Sequence, residues 1–291
     1  MTPALRDAYA RCRAVTRERA ENFYYTFLLL PRQRREALFA LYAFTRRCDD
    51  IADEPGAIAD KLRDLGKCRS RLDAAARGDP PTDDFVFLAL GDTLTRFSIP
   101  AGLAGELIDG MAQDLSVTRY ETFEALKRYC YKAASVVGLM CLPVFGCRDE
   151  RARAHAVDLG LAMQLVNIVR DVKEDLARNR IYIPQEDLAA TGCSEESLQR
   201  GDTNEAFRRL VALEARRARE CFASGRQLLP LIPRSSRFCP AALAAVYGRI
   251  LDKIERDPAR VMRERVRISA GGKLALAAKA LVQSWLTPSL R

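Results

Sequence analysis

Asn167, Asp171 and Asp175 follow one another at intervals of four in the stretch QLVNIVRDVKEDLARNRIYIP, Gln164 to Pro184. On an α-helix that spacing gathers them into one polar stripe. Leu165, Ile168, Val169, Val172 and Leu176 flank it, so the helix faces a core rather than solvent. Two carboxylates one turn apart repel by roughly a few tenths of a kcal/mol on an exposed helix, and more strongly in a cleft. Buried, such a stripe needs a compensating cation. Asn and Asp offer only hard oxygen ligands, which suits Mg²⁺ better than Zn²⁺.

A second acidic stretch, Tyr42 to Glu54, puts Asp49 and Asp53 on one helical face, which Tyr42 and Arg46 continue toward the N-terminus. Mg²⁺ usually takes one or two carboxylates together with waters and substrate phosphates. Two helices, each with an Asp pair and an arginine alongside, therefore predict a diphosphate held through several Mg²⁺ ions.

Together the two stretches resemble the squalene and phytoene synthase family, which joins two prenyl diphosphates head to head. The resemblance is carried by Asp49-Asp50-Ile51-Ala52-Asp53, by Asn167 through Asp175, and by Arg180-Ile181-Tyr182-Ile183-Pro184 behind them. It extends from Phe23 to Leu281. It implies an all-α fold, a single isoprenoid-synthase-type helical bundle over residues 1–291 with a central cavity lined by the two Asp-rich helices. It also implies Mg²⁺, with Mn²⁺ as the other candidate, on Asp49, Asp53, Asn167, Asp171 and Asp175. Arg46, Arg170 and Arg265 would reach phosphate oxygens, Tyr42, Gln164 and Tyr247 would orient the substrates, and Tyr129 would stabilise carbocations. Asn22 stands where the family usually has Ser, and is expected either to reach a diphosphate or to cap a helix. Ser135 stands where many relatives have Gly, which leans toward the bacterial presqualene or squalene branch.

The activity so implied is condensation of two farnesyl diphosphates to presqualene diphosphate. Phytoene or dehydrosqualene synthesis is the near alternative, and an assembly factor of the same fold the non-enzymatic one. NADPH would be needed only for a second, reductive half-reaction, which is not expected here.

The elements that must position these residues read as helices throughout. Pro3 starts a polar helix over residues 1–20, and an apolar segment from Asn22 ends at Pro31. A strong helix from Arg32 to Glu54 stops at Pro55-Gly56, and others cover roughly 57–78, 83–97 and 100–114. Asp109 and Asp114 lie on the last of these, as supporting acids or as salt-bridge partners. The small residues of Ala133-Ala134-Ser135 and Gly138 allow close packing or room for a bulky chain. Phe207 to Leu229 is laced with Arg and Glu and is expected on the outside. Pro230 to Pro240 is expected to break the chain before Ala241 to Asp257. Lys273 to Trp285 is amphipathic, closing the fold or touching a membrane. No strand-like alternation, repeat or GxGxxG loop is present.

Bulk properties set the remaining bounds. With 291 residues, 48% of them hydrophobic, the chain can bury a sizeable core. No apolar run approaches the ~20 residues that span a bilayer, and a soluble, cytoplasmic protein is expected. Nine cysteines without a CxxC pair, and a single histidine, His155, argue against a disulfide framework, a zinc site or a Ser-His-Asp triad. The net charge of +9 fits a polyanionic substrate, with peripheral contact at the inner face of a membrane as a second expectation. No nucleic-acid motif is present, and the sequence leaves the oligomeric state open.

Overall fold

Caps and prolines punctuate this chain into helices. In the computed structural model, which describes residues 1–286 apart from the side chains of Glu21, Asn22, Gln283 and Trp285, Thr2 caps the first helix. Its hydroxyl accepts the Leu5 N–H at 3.2 Å, and Pro3 opens α1 (Pro3–Arg19). α2 (Glu21–Leu28) follows at once, and Pro31 then leads into α3 (Arg32–Asp53), the first acidic helix. α4 (Ile58–Ala76), α5 (Phe85–Phe97, capped by Asp84) and α6 (Ala101–Asp114) complete the N-terminal half. Thr122 caps α7 (Phe123–Cys130), which passes through a π-helical turn at Tyr131–Ser135 into α8 (Val136–Phe145).

The second acidic stretch spans α9 (Arg151–Arg170) and α10 (Val172–Ala177), and short α11 (Gln185–Thr191) and α12 (Glu195–Arg200) come next. α13 (Glu205–Gly225) ends in a 3₁₀ turn at Arg226–Leu231, followed by α14 (Arg234–Arg256), α15 (Arg260–Arg263) and α16 (Ala270–Leu286). Among the described residues there is no strand, only an isolated bridge between Arg119 and Ile181. No helix there is long and apolar enough to cross a membrane.

α9 is the axis of the C-terminal half, with α13 along one side and α8 and the π-turn along the other. Glycines let these backbones close up. A Cβ on Gly160 would stand 2.7 Å from the Ser135 Cα, and one on Gly225 would stand 2.9 Å from the Leu159 Cα. Ser135 is fully buried and its hydroxyl donates to the Val157 carbonyl at 2.8 Å, so it ties the π-turn to α9. One continuous apolar core runs through both halves, while α16 is held to α14 by Phe238, Ala241, Ala242 and Ala280.

Three local expectations change. α13 has the buried stripe (Phe207, Leu210, Val211, Ala215, Ala218 and Phe222) and exposed charged face of an outer helix, but it ends at Gly225 in a 3₁₀ turn instead of running on to Leu229. Pro240 does not break the chain but lies inside α14, where it forfeits one helical N–H bond. The acidic stripe is not on one unbroken helix: Asp171, at φ −103° and ψ 13°, separates α9 from α10. The break keeps the stripe aligned, since Asp171 N–H still bonds Asn167 O at 2.8 Å and Asp175 N–H bonds Asp171 O at 2.9 Å.

Candidate active site

A cavity of about 970 Å³ lies between α3, α8, α9 and α14, within the size range of small-molecule sites. Along α3 and α9 its lining passes from apolar residues such as Leu38 and Leu159 to charged ones such as Asp53 and Asp171, and Phe27, Leu142, Phe145 and Leu228 are among the other apolar walls. Asp49, Asp53, Asn167, Asp171 and Asp175 all line it, as do Tyr42, Arg46, Gln164, Arg170, Tyr247 and Arg265. Tyr129 lines it too, together with Ala133, Ala134, Val137 and Gly138 from the π-turn and α8. Ser135 faces α9 instead, which explains a polar residue amid that run. Asn22 lies outside the described side chains. Its backbone is the second residue of α2, behind Ala20 at the N-cap, so capping is not its place in the fold.

The acidic groups fall into two classes. Asp171 is gripped from both sides: Arg170 Nε donates to Oδ1 at 2.7 Å, while Arg265 Nε and Nη2 donate to Oδ1 and Oδ2 at 2.9 and 3.0 Å. Burial alone would raise its pKa, but the two guanidiniums outweigh burial and hold it below the usual carboxylate range. Neither Asp49 nor Asp175 has such a partner among the described residues. Burial, then Asp53 and Asp50 nearby, push Asp49 up to about 7 against the pull of Arg46. Burial and the charges of Asp171 and Asp114 push Asp175 to about 7 as well. Arg46 hydrogen-bonds Asp50, off the Asp49–Asp53 face.

Asn167 donates from Nδ2 to Gln164 Oε1 at 3.2 Å, and its own Oδ1 is buried without a hydrogen-bond partner. An orphaned amide oxygen beside two carboxylates that burial has driven toward neutrality is a donor set short of positive charge. Hard oxygens in this arrangement fit a divalent cation of the Mg²⁺ type. Among the described residues no three acidic, imidazole or thiol groups converge into a cage.

Arg178 was not singled out from the sequence, and Arg180, Tyr182 and Asp114, which were, had no partners assigned there. Arg178 and Arg180 donate to Asp53 at 3.1 and 3.5 Å, bridging the two acidic segments. Arg180 also pairs with Asp114 at 3.0 Å, and the Tyr182 hydroxyl donates to Asp114 at 2.6 Å. Asp114 is therefore part of the site, whereas Asp109 points to Arg69 on the outside. Tyr129 and Tyr182 stack at 5.4 Å and 20°, with Tyr120 packed against both. Those ring faces offer electron density to a cation without offering a nucleophile. The signal for Arg180 and Tyr182 was already present in the Arg-Ile-Tyr-Ile-Pro run; what it lacked was a partner in α6.

The squalene/phytoene synthase family profile matches residues 16–271, most of the chain. The chain belongs to this family. It is accordingly a prenyl-transferring enzyme of the isoprenoid type. It is 37% identical over 283 residues to a phytoene synthase of Mycobacterium tuberculosis, covering 96% of this chain and 92% of that one. A 15-cis-phytoene synthase of Synechococcus elongatus is 35% identical, with 97% and 94% covered. Among solved structures, squalene synthase HpnC from Alicyclobacillus acidocaldarius superposes with a TM-score of 0.82 at 31% identity, covering 88% of this chain and 96% of that one. A ligand-bound dehydrosqualene synthase superposes at 0.88 with 28% identity and 97% of each chain covered. The all-α expectation and the family resemblance both hold.

Proposed function

We propose that the chain, acting as one catalytic unit, joins two farnesyl diphosphates head to head, giving presqualene diphosphate, one free diphosphate and a proton. The observation that carries this reading is that both acidic segments open onto one apolar cavity, with arginines between them. A cation held by Asp49, Asp53, Asn167, Asp171 and Asp175 would supply Lewis-acid stabilisation of the departing diphosphate. Arg170 and Arg265 are placed to bind phosphate oxygens with planar, charged forks. Arg265 is about half exposed at the rim, so its fork can turn from Asp171 toward a substrate phosphate. Tyr42, Gln164 and Tyr247 line the path between the acidic end and the apolar walls and orient the allylic carbons.

Ionisation leaves an allylic cation, and the apolar walls keep water from quenching it. Tyr129 and Tyr182 line the cavity and stabilise that charge with the electron density of their rings. Burial drives both phenols well above their usual range, so neither supplies a phenolate that would trap the cation. The 2,3 double bond of the second substrate attacks, and proton loss closes the cyclopropane, the released diphosphate serving as the base.

A second reading, two geranylgeranyl diphosphates joined to phytoene, is supported by the two relatives named phytoene synthase. Incubation with farnesyl diphosphate and Mg²⁺, first without and then with NADPH, separates the readings by mass analysis of the extract. Presqualene diphosphate without reductant is the expected product. A hydrocarbon formed without reductant would move the assignment to dehydrosqualene synthesis. Turnover only with geranylgeranyl diphosphate would establish the phytoene reading. Inactivity with both substrates would favour an assembly-factor role.

A further inference from the structure

A second cavity, of about 760 Å³, lies on the outer side of α2, between α1 and the start of α3. Arg6, Arg13 and Arg17 stand at i, i+7 and i+11, so one face of α1 turns three guanidiniums toward it. Arg32 and Arg35 reach it from α3. Five guanidiniums thus meet only two carboxylates, Glu18 and Glu36. Of these ten possible pairings a single one is made, Arg32 Nε to Glu36 Oε1 at 2.8 Å.

Arg6, Arg13, Arg17 and Arg35 pair with no carboxylate among the described residues, and all four line this one cleft. Arg13 instead donates to the Tyr24 hydroxyl at 3.0 and 3.2 Å, which fixes its fork at the wall. The wall itself is rigid and aromatic: Tyr24 stacks on Phe39 at 5.7 Å and 23°, and both are buried. Glu36 keeps its second oxygen, Oε2, buried and without a hydrogen-bond partner. The cleft therefore combines excess guanidinium, which recognises phosphate oxygens, with one acceptor that still lacks a donor.

We propose that this cleft is a second anion site, separate from the prenyl cavity, which takes a phosphate group carrying a neighbouring hydroxyl. The arginines bind the phosphate and Glu36 accepts from the hydroxyl. Such chemistry occurs in free glycerol phosphate and in the headgroup of phosphatidylglycerol. The site does not depend on the prenyl substrate assigned above. α2 is the wall common to both cavities, with Tyr24 on this side and Phe23 and Phe27 on the other.

The test uses the full chain without divalent cation, and the triple variant Arg6→Gln, Arg17→Gln, Arg35→Gln, whose side chains form no ion pair among the described residues. Glycerol 3-phosphate is titrated by calorimetry, and flotation is measured with vesicles of phosphatidylcholine alone or mixed with phosphatidylglycerol. Arg265→Ala serves as a control for phosphate bound in the prenyl cavity. Saturable glycerol phosphate binding that weakens at least tenfold in the triple variant, but not in Arg265→Ala, identifies a free ligand. Flotation with phosphatidylglycerol that the triple variant loses, with no free-ligand binding, identifies a headgroup. Absence of both, or equal binding by the triple variant, overturns the site. Unchanged melting temperature and prenyl turnover in the triple variant exclude misfolding as the cause, and because turnover is not the binding readout, failure of the enzymatic assignment would be seen separately.

Discussion

The two acidic segments are alike in sequence spacing and unlike in electrostatics. On α3, the carboxylates lie on an unbroken helix, and its own arginine, Arg46, bonds Asp50 rather than either cavity-facing Asp. At the α9–α10 break, Asp171 is held by two arginines that come from different parts of the chain, one adjacent and one 94 residues away. One segment keeps Asp49 raised to about 7, while the other contains both a depressed Asp171 and a raised Asp175. Equal spacing thus does not mean equal readiness for a cation. Asp49, Asp175 and the bare Asn167 oxygen lack positive charge, while Asp171 already has it and must exchange it.

The largest effect expected from this contrast is on turnover. Asp175→Ala and Asp49→Ala each remove a carboxylate that no arginine can replace, and a loss of about 10³-fold in kcat/KM is expected with helical content unchanged. Asp171→Ala should cost as much, and it also frees two guanidiniums. Turnover that survives any of the three at wild-type rate, measured with the substrate identified above, would remove that residue from the metal set.

Arg265→Ala comes next. Its fork is shared between Asp171 and the substrate phosphate, so a loss of about 10²-fold is expected, much of it in KM. Arg265→Lys should recover little, since an ammonium cannot make the bidentate contact. Full recovery by lysine would mean that charge alone matters there.

Protonation offers a smaller and more discriminating probe. A raised pKa means that the folded state keeps protons the unfolded chain has released, so the stabilising contribution of Asp49 and Asp175 is present below pH ~4 and is lost as pH rises through about 7. Asp171 has the opposite sign: its contribution is present above its ordinary value of 3.8 and is lost as pH falls through its depressed one. Cation-free melting temperature should therefore fall between pH 5 and 8, and Asp49→Asn with Asp175→Asn should flatten that fall. Mg²⁺ binding over the same interval should release protons, seen as a buffer-dependent calorimetric heat. A heat independent of buffer at pH 6.5 would contradict protonated carboxylates at the site.

Much of this architecture was legible in the chain itself because several helix boundaries have a local cause. Thr2, Pro31, Asp84 and Thr122 sit where the caps and first turns require them, and the two acidic stripes were evident from their spacing. What was not legible depends on distant partners. The end of α13 at Gly225 lies where that helix closes on Leu159, and Pro240 was read as a break because proline usually is one. Arg180 and Tyr182 reach Asp114 only because the segments that follow α6 and α10 meet at Arg119 and Ile181, a contact between residues 62 positions apart. The π-turn has no sequence signature of its own; it follows from the need to bring Ser135 against Gly160.

The smallest expected effects separate the two arginines that bridge the acidic segments. Arg178 and Asp53 are both substantially exposed, at 52% and 37% of their side chains, so water screens the pair. Arg178→Ala should cost less than about 1 kcal/mol and change turnover less than tenfold. Arg180 holds the same Asp53 but also pairs with Asp114, and there the side chains are only 13% and 8% exposed. Burial already raises the Asp114 pKa against the pull of the Tyr182 hydroxyl and Arg180, and without Arg180 that carboxyl would rise further. Arg180→Ala should therefore destabilise by about 2–3 kcal/mol near neutral pH and progressively less as pH falls and Asp114 takes up a proton. If the two variants melt alike, the bridge acts only through Asp53, and Asp114 is tied into the site by Tyr182 alone.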